Sequence, residues 1–595
     1  MTTTPRPEHP RPQLVRDRWL NLNGEWQFEV DRGDSGLERG LLDRDLERTI
    51  LVPFAPESVA SGIGDTDFLH AVWYRRSVEI PEDWAGSELL LHFGAVDHDA
   101  TVWVDGVEVA RHRGGFTSFT AELGLRTRQI TIVVRARDLP QGPQARGKQS
   151  TAYANATCLY TRTTGIWQTV WLEAVPADRI EALRITPRQG EGVFDVETVL
   201  RRTRPGLRLE LELSDGDGVV VATADIGADD ELTPAARLVV PEDRRRLWQP
   251  GDPHLYDLRV RLTFERAQID RVDSYAGLRS VSVAGDAILI NGERVFQRLV
   301  LDQGLWPDTL MTAPTDAALE EDIRLSMAAG FNGARLHQKV FEERFLYHAD
   351  RLGYLVWGEF GDWGAAEPAV AGDPQQPTAS YVTQWIEAVQ RDRNHPSIVG
   401  WCPLNETWQA LHDRITQLDD VTRAMYLATK AADPTRPVLD ASGYSHRVPG
   451  ADVYDSHLYE QDPAEFRRIL STTYVNEHDG RAISLPYVGQ PYFVSEYGGI
   501  WWSEAHDADD PERLSSWGYG QRVRDLEEWF ARFAGLTDVL LDDPRMFGYC
   551  YTQLTDTFQE QNGVYDARRR PKFDIARLRA IQTRPAAYEG VPRVI

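Results

Sequence analysis

The stretch Ser397-Ile398-Val399-Gly400-Trp401-Cys402-Pro403-Leu404-Asn405-Glu406 reads as a buried β-strand that carries a carboxylate to its C-terminal tip. It is a short apolar run, opened by Asn394-His395-Pro396 and closed by polar Asn405 and Glu406. The pattern returns in Pro491-Tyr492-Phe493-Val494-Ser495-Glu496-Tyr497-Gly498-Gly499, where an apolar strand delivers Glu496 and breaks at glycines. From about residue 285 onward strand and helix alternate around these two stretches. The strand candidates are Val295 to Asp302, Phe331 to His337, Tyr354 to Phe360, Ser397 to Glu406, Pro437 to Ser442, Val453 to Tyr459, Tyr492 to Glu496 and Phe547 to Leu554. Leu319, Ile323 and Met327 mark one intervening helix; Val382, Ile386 and Val389 mark a second, and Leu526, Trp529 and Phe533 a third. Eight strands with helices between several of them predict a (β/α)8 TIM barrel over residues 285–595. Active sites of that fold sit at the C-terminal strand ends, where Glu406 and Glu496 fall.

Upstream the grammar is all-β. In residues 13–176, Asp99 to Val104 runs into Asp105-Gly106, a hairpin turn signal, and Val107 to Val109 returns. Gln129 to Arg135 and Trp167 to Leu172 read as further strands, which predicts a jelly-roll β-sandwich. In residues 177–284, Leu207 to Leu213 and Tyr256 to Leu262 alternate apolar and polar side chains, as strands with one buried face do. That length and pattern predict an immunoglobulin-like sandwich. Residues 1–12, polar and proline-rich, read as a disordered tail rather than a signal peptide.

With 595 residues the chain exceeds a single core, consistent with three domains. A formal net charge of −26 argues against nucleic acid and anionic membranes, which call for clustered Lys and Arg. Cys158, Cys402 and Cys550 form neither a disulfide framework nor a metal-binding pair, and no apolar run approaches membrane-spanning length. A cytoplasmic enzyme is the expectation. The 18 tryptophans fit either sugar stacking or sandwich cores.

A glycosidic bond breaks through an oxocarbenium-like state that needs a proton on the leaving oxygen and a negative group on the other face of C1. Two carboxyl groups about 5–5.5 Å apart allow direct attack and a covalent glycosyl-enzyme. A strand-end glutamate alone is as readily a salt-bridged barrel residue. Two of them, with Asn405 and Tyr497 beside them, favour catalysis.

Arg391-Asp392-Arg393-Asn394-His395-Pro396-Ser397 leading to Asn405-Glu406 resembles the acid/base signature of glycoside hydrolase family 2, the β-galactosidase and β-glucuronidase family. Ser495-Glu496-Tyr497-Gly498 resembles its nucleophile strand. Asn21-Leu22-Asn23-Gly24-Glu25-Trp26, Trp73-Tyr74-Arg75-Arg76, Gly94 to Asp97 and Gly165-Ile166-Trp167-Gln168 are similar to its sugar-binding jelly roll, and Ile288 to Glu293 to its barrel entry. The resemblance implies a retaining glycosidase with Glu406 as general acid/base, protonated at rest, and Glu496 as ionised nucleophile. It implies substrate contacts from Asn405 and from Arg335, His337, Glu359, His457 and Tyr459 at strand ends. Asp302, Trp501 and Trp502 are candidates to line the mouth. It implies no required cofactor; some relatives hold Mg²⁺ or Na⁺ near the acid/base, and nothing here commits this chain to either. Homo-oligomers are frequent in the family.

The sequence departs from its relatives at Leu301-Asp302-Gln303-Gly304 and Arg335-Leu336-His337-Gln338-Lys339, where β-galactosidases carry histidine-rich and His-Tyr-Pro segments. Gln559-Glu560-Gln561-Asn562-Gly563-Val564 lacks the Asn-x-Lys pair with which β-glucuronidases grip a carboxylate, which disfavours a glucuronide. The expectation is therefore an exo-acting hydrolase of a terminal neutral sugar, of β-D-galactosidase type. The alternative is a β-D-galactofuranosidase or α-L-arabinofuranosidase. A catalytically inactive carbohydrate-binding protein is the alternative of another class, and a metal hydrolase is disfavoured because no HExxH occurs.

Overall fold

The computed structural model describes residues 4–140, 142–363, 377–407, 409–478, 480–503 and 516–591. The sandwich at the N-terminal end pairs a six-stranded sheet with a four-stranded one. Its hairpin closes as the sequence predicts. Strands Asp99–Val104 and Val107–Arg113 are joined by Asp105 and Gly106, both at positive φ (51° and 78°), the two-residue turn whose twist matches its strands. The strand expected from Trp167 begins instead at Val170 and runs to Val175.

The middle sandwich packs a three-stranded sheet against a four-stranded one. Leu207, Leu209, Leu211 and Leu213 point inward and are buried. Three main hydrophobic clusters occupy residues 22–174, residues 180–278 with Leu14, and the barrel from Ala287 to Tyr588 with a few interdomain partners. They support the proposed divisions at 176/177 and 284/285.

The expected tail is docked rather than disordered from Thr4 onward. Arg6 is buried, its guanidinium donating to both carboxylate oxygens of Glu342 (2.9 and 2.6 Å) and to Ala313 O (3.2 Å). A buried cation persists only with such partners.

The barrel's parallel sheet runs in the order Ile398–Cys402, Leu355–Glu359, Gly333–Leu336, Gln297–Asp302, Met546–Thr552, Tyr492–Gly498, Tyr454–Leu458. Seven of the eight expected strands are present. At the fifth position, 437–442 bends at Asp440 and Ala441 and meets the fourth strand only through bridges at Trp401/Val438 and Asn405/Ser442. On its other side side chains replace the ladder: Asp455 accepts from Gly443 N–H (2.9 Å) and from Ser442 Oγ (2.7 Å). The three helices expected from apolar spacing lie at Asp316–Ala328, Ala379–Asp392 and Leu526–Leu541, capped by Thr315, Thr378 and Asp525.

Candidate active site

The two glutamates converge by different routes. The fourth strand ends at Cys402, because Pro403 has no N–H to continue a ladder. Glu406 stands four residues beyond, at φ +48°, a left-handed conformation that a glutamate adopts only under surrounding constraint. Its N–H donates to Ser442 O (3.0 Å). Glu496 lies inside the strand Tyr492–Gly498. A bulge there inserts Ser495, so that Val494 faces Ser456 while Glu496 faces His457. Bulges re-aim side chains in this way next to active sites.

Ligand-type oxygens of Glu406 and Glu496 and a nitrogen of His457 all lie within 4.8 Å of one another. His457 Nδ1 is 2.7 Å from Glu406 Oε1, and its Nε2 is 3.4 Å from Glu496 Oε1. The second Glu406 oxygen accepts from Trp363 Nε1–H at 2.8 Å. Burial pushes the Glu406 carboxyl up, but the hydrogen bond and charge of His457, with Trp363 and Lys148 behind them, outweigh burial and hold it below the ordinary range. Burial pulls His457 down, and the two glutamates more than reverse this, raising it. The expectation was a Glu406 protonated at rest; the His457 contact works in the other direction and favours its ionised form.

Tyr459 OH donates to Glu496 Oε2 (2.5 Å), and its ring stacks on Tyr519 at 3.4 Å. Arg335, fully buried, contacts Glu496 Oε1 at 3.1 Å and donates from Nε to Glu359 (2.5 Å), from Nη1 to Ser495 O (3.0 Å) and from Nη2 to Asn405 Oδ1. Asn405 is thereby oriented with its Nδ2 buried and without a partner among the described residues, a donor left for a ligand. Glu359 is committed to Arg335 and to Gln338 N–H (2.8 Å). His337 Nδ1 lies 3.2 Å from Glu359 and 3.8 Å from Glu496; burial, then the charge of Lys148, holds this imidazole well below its ordinary pKa.

Other expected residues sit apart. Asp302 accepts from Gly304 N–H (2.9 Å), and burial with Asp322 nearby pushes it up to about 7; no contact among the described residues ties it to the glutamates. Trp501 and Trp502 pack near Gly518 and Arg522, with both indole N–H groups unpartnered among the described residues. Among the described residues no hydrogen bond joins either tryptophan to the glutamates.

The sequence reading missed a contribution from the first domain. The segment around Lys148 crosses onto the barrel mouth: Gly147 N–H donates to Gly361 O (2.7 Å), and Thr157 O accepts from Trp517 Nε1 (2.6 Å) and Gln559 Nε2 (2.7 Å). Lys148 Nζ lies 3.8 Å from Glu560 Oε2, both side chains buried. Burial pulls the Lys148 ammonium down, but Glu560, Cys158, Glu496 and Glu406 more than offset it. The signal available was scarcity: Lys148, Lys339, Lys430 and Lys572 are the only lysines in a chain that otherwise uses arginine. The trio Glu406, His457 and Glu496 is also the group among the described residues close enough to hold a cation, but both imidazole nitrogens already face hydrogen-bonding oxygens, and we assign no metal to it.

Paired carboxylates at this spacing, at the C-terminal mouth of a (β/α)8 barrel, are the arrangement that glycoside hydrolysis calls for. Family models agree along the chain: "Glycosyl hydrolases family 2, TIM barrel domain" matches residues 281–584, the family's sugar binding domain 20–130, and its central domain 179–279. The chain belongs to glycosyl hydrolase family 2 and is an O-glycosyl hydrolase that acts with retention and requires no cofactor. Membership sets aside the inactive binding-protein alternative. A β-glucuronidase of Paenibacillus borealis is 28% identical over 463 residues, covering 72% of this chain and 74% of the relative. One from Felis catus is 27% identical over 546 residues, covering 83% and 80%. The apo structure of Ruminococcus gnavus β-glucuronidase superposes with a TM-score of 0.76 at 18% identity, covering 96% of this chain and 98% of that one. A β-glucuronidase from an uncultured Clostridium sp. gives 0.74 at 19%, with the same coverage. These two structures speak to the fold alone. No helix among the described residues is long and apolar enough to cross a membrane.

Proposed function

We propose that the chain removes a terminal sugar by double displacement, with Glu496 as nucleophile and Glu406 as acid/base, and that this sugar is a β-D-glucuronide. The observation carrying the chemistry is the 4.8 Å limit on the separation of the reactive oxygens, which suits direct attack and is too close for an inverting water. Glu496 attacks C1 while Glu406 delivers a proton to the leaving oxygen; water then enters with Glu406 as base. Asn405 Nδ2 donates to the 2-hydroxyl, Tyr459 and Arg335 hold Glu496 ionised, and Glu359 and His337 support Arg335. For the sugar, support comes from the curated relatives, named as β-glucuronidases over about three quarters or more of their length, and from Lys148, an ammonium whose pKa is raised in part by the charges of both glutamates. The free cysteines are compatible with a cytoplasmic setting.

A second reading, a neutral sugar, has its own observation. Glu560 already balances Lys148, and it would face a uronate carboxylate. A carboxylate–ammonium pair of this kind suits hydroxyl groups, so β-D-galactoside and the furanosides stay in play. A panel of p-nitrophenyl β-D-glucuronide, β-D-galactopyranoside, β-D-galactofuranoside and α-L-arabinofuranoside, each run beside Glu496→Gln, separates the readings. Turnover of the glucuronide alone, lost in the variant, is the expected result. Turnover of a neutral glycoside alone overturns the sugar assignment and keeps the mechanism.

A further inference from the structure

His457 lies between the two carboxylates, and its surroundings fix where its hydrogens are. The backbone is clamped by Asn476, which accepts from His457 N–H (3.2 Å) and donates to His457 O (3.0 Å). The ring lies flat against Gly443, whose φ is +80° and where a Cβ would meet the imidazole at 2.5 Å. Its side chain is fully buried.

Nε2 stands 3.0 Å from Ser442 Oγ. The Ser442 hydroxyl spends its one hydrogen on Asp455 Oδ2 at 2.7 Å. Burial pushes the Asp455 carboxyl up, but His446 beside it holds it down at about 2, so it is an ionised acceptor. Ser442 therefore offers Nε2 a lone pair, and Nε2 carries hydrogen. Arg335 Nη1, a donor, is 3.4 Å from the same nitrogen, farther than Ser442 Oγ and farther than its own acceptor Ser495 O (3.0 Å), so the Ser442 contact sets the tautomer. With Nε2 so fixed, the only variable proton lies on the 2.7 Å line between Nδ1 and Glu406 Oε1.

We propose that His457 stores the catalytic proton, so that the general acid is the Glu406–His457 pair rather than Glu406 alone. The inference rests on the acid/base role proposed for Glu406. In the first step Glu496 forms a bond to C1 and the C1–O bond to the leaving group breaks. The freed electron pair takes that one proton, which passes from His457 Nδ1 through Glu406, leaving His457 neutral and Glu406 ionised. In the second step water attacks C1, the ester bond to Glu496 breaks, and the water's proton returns through Glu406 to Nδ1. The charged and titratable groups around the imidazole are Glu406, Glu496 and Arg335 from other elements, Tyr444 edge-on at 5.6 Å between ring centres, His337 beyond Arg335, and Asp455 through Ser442. Glu406 and Glu496 favour the imidazolium, while Arg335 opposes it, in line with the raised histidine.

The test uses methyl and 2,4-dinitrophenyl glycosides of the sugar accepted in the panel. The methyl glycoside needs a full proton on its leaving oxygen; the dinitrophenyl one needs almost none. His457→Asn keeps hydrogen bonding but cannot store a proton. The alkaline limb of kcat/KM for the methyl glycoside should move down by about one pH unit or more. That substrate should lose about 10²-fold while the dinitrophenyl glycoside loses under about 10-fold. Ser442→Ala, which removes the acceptor fixing Nε2, should shift the limb the same way by less. In the unaltered protein, ¹⁵N-histidine spectra, with His457→Asn identifying the signal, should show both nitrogens protonated at neutral pH. An unmoved limb with equal losses on both substrates, or a neutral imidazole at pH 6, overturns the inference. If Glu406→Gln itself shows no leaving-group dependence, the acid/base assignment fails and the inference falls with it, for a distinguishable reason.

Discussion

Glu496 and Glu406 come within 4.8 Å of each other, yet they are held by different physics. Glu496 belongs to a strand paired on both sides, with neighbours Tyr454–Leu458 and Met546–Thr552, and irregularities in both pairings set its direction while Tyr459 and Arg335 hold its carboxylate. Glu406 has left its strand, sits at positive φ, and is fixed by side chains: His457, Trp363 and the backbone of 437–442. Its side chain keeps 19% exposure against 4% for Glu496. On the roles proposed for them, the difference is a division of labour. A nucleophile must stay at one distance from C1 and gains from a rigid ladder. A group that passes a proton in both directions gains from polar contacts that tolerate either charge state.

That contrast can be broken in order of expected effect. Glu496→Gln should cut turnover by at least about 10³-fold on every substrate, because no other group forms the ester, with the melting temperature nearly unchanged. Equal activity in the variant would end the contrast at its root. Glu406→Gln should cost about 10²–10⁴-fold on alkyl glycosides and far less on dinitrophenyl ones, and azide should rescue Glu406→Ala on the latter. Steady-state kinetics on both leaving groups decide this. Tyr459→Phe removes a 2.5 Å hydrogen bond to Glu496 and should lower kcat by about 10-fold with the leaving-group preference intact. Gly443→Ala pushes a methyl into the His457 ring; it should destabilise the fold by about 1–3 kcal/mol in a denaturant melt and affect Glu406-dependent substrates first.

Much of this arrangement was legible in the chain because apolar runs ending in carboxylates are local signals. The strand to Glu496, the helices with four-residue apolar spacing, and the Asp105-Gly106 turn needed nothing from distant residues. What the sequence hid was made at long range. Residues 437–442 read as a full strand, but Asp455 side-chain bonds replaced half of its ladder. Ser495 looked like an ordinary strand residue, and only pairing with the sixth strand turned it into a bulge. Asp302 ended an apolar run as the glutamates did, yet its carboxylate turned to Gly304 N–H. Glu406 was read without its histidine partner, which comes 51 residues later. Lys148 belongs to another domain altogether, and Glu560 gained its significance only by facing it.

The crossing of the Lys148 segment onto the barrel has a consequence for how such a molecule can be inherited or recombined. A chimera joined between the first sandwich and the rest would exchange part of the reaction chamber's wall along with the domain. Thr157 docks through its backbone oxygen, but Gly147 sits at φ +54° with the backbone oxygen of Gln338 where a Cβ would go, so the seat calls for glycine there, and Lys148 travels with it. Shuffling that domain is thus a way to change what the barrel accepts without altering either glutamate, and a barrel expressed by itself would be an enzyme with one wall missing.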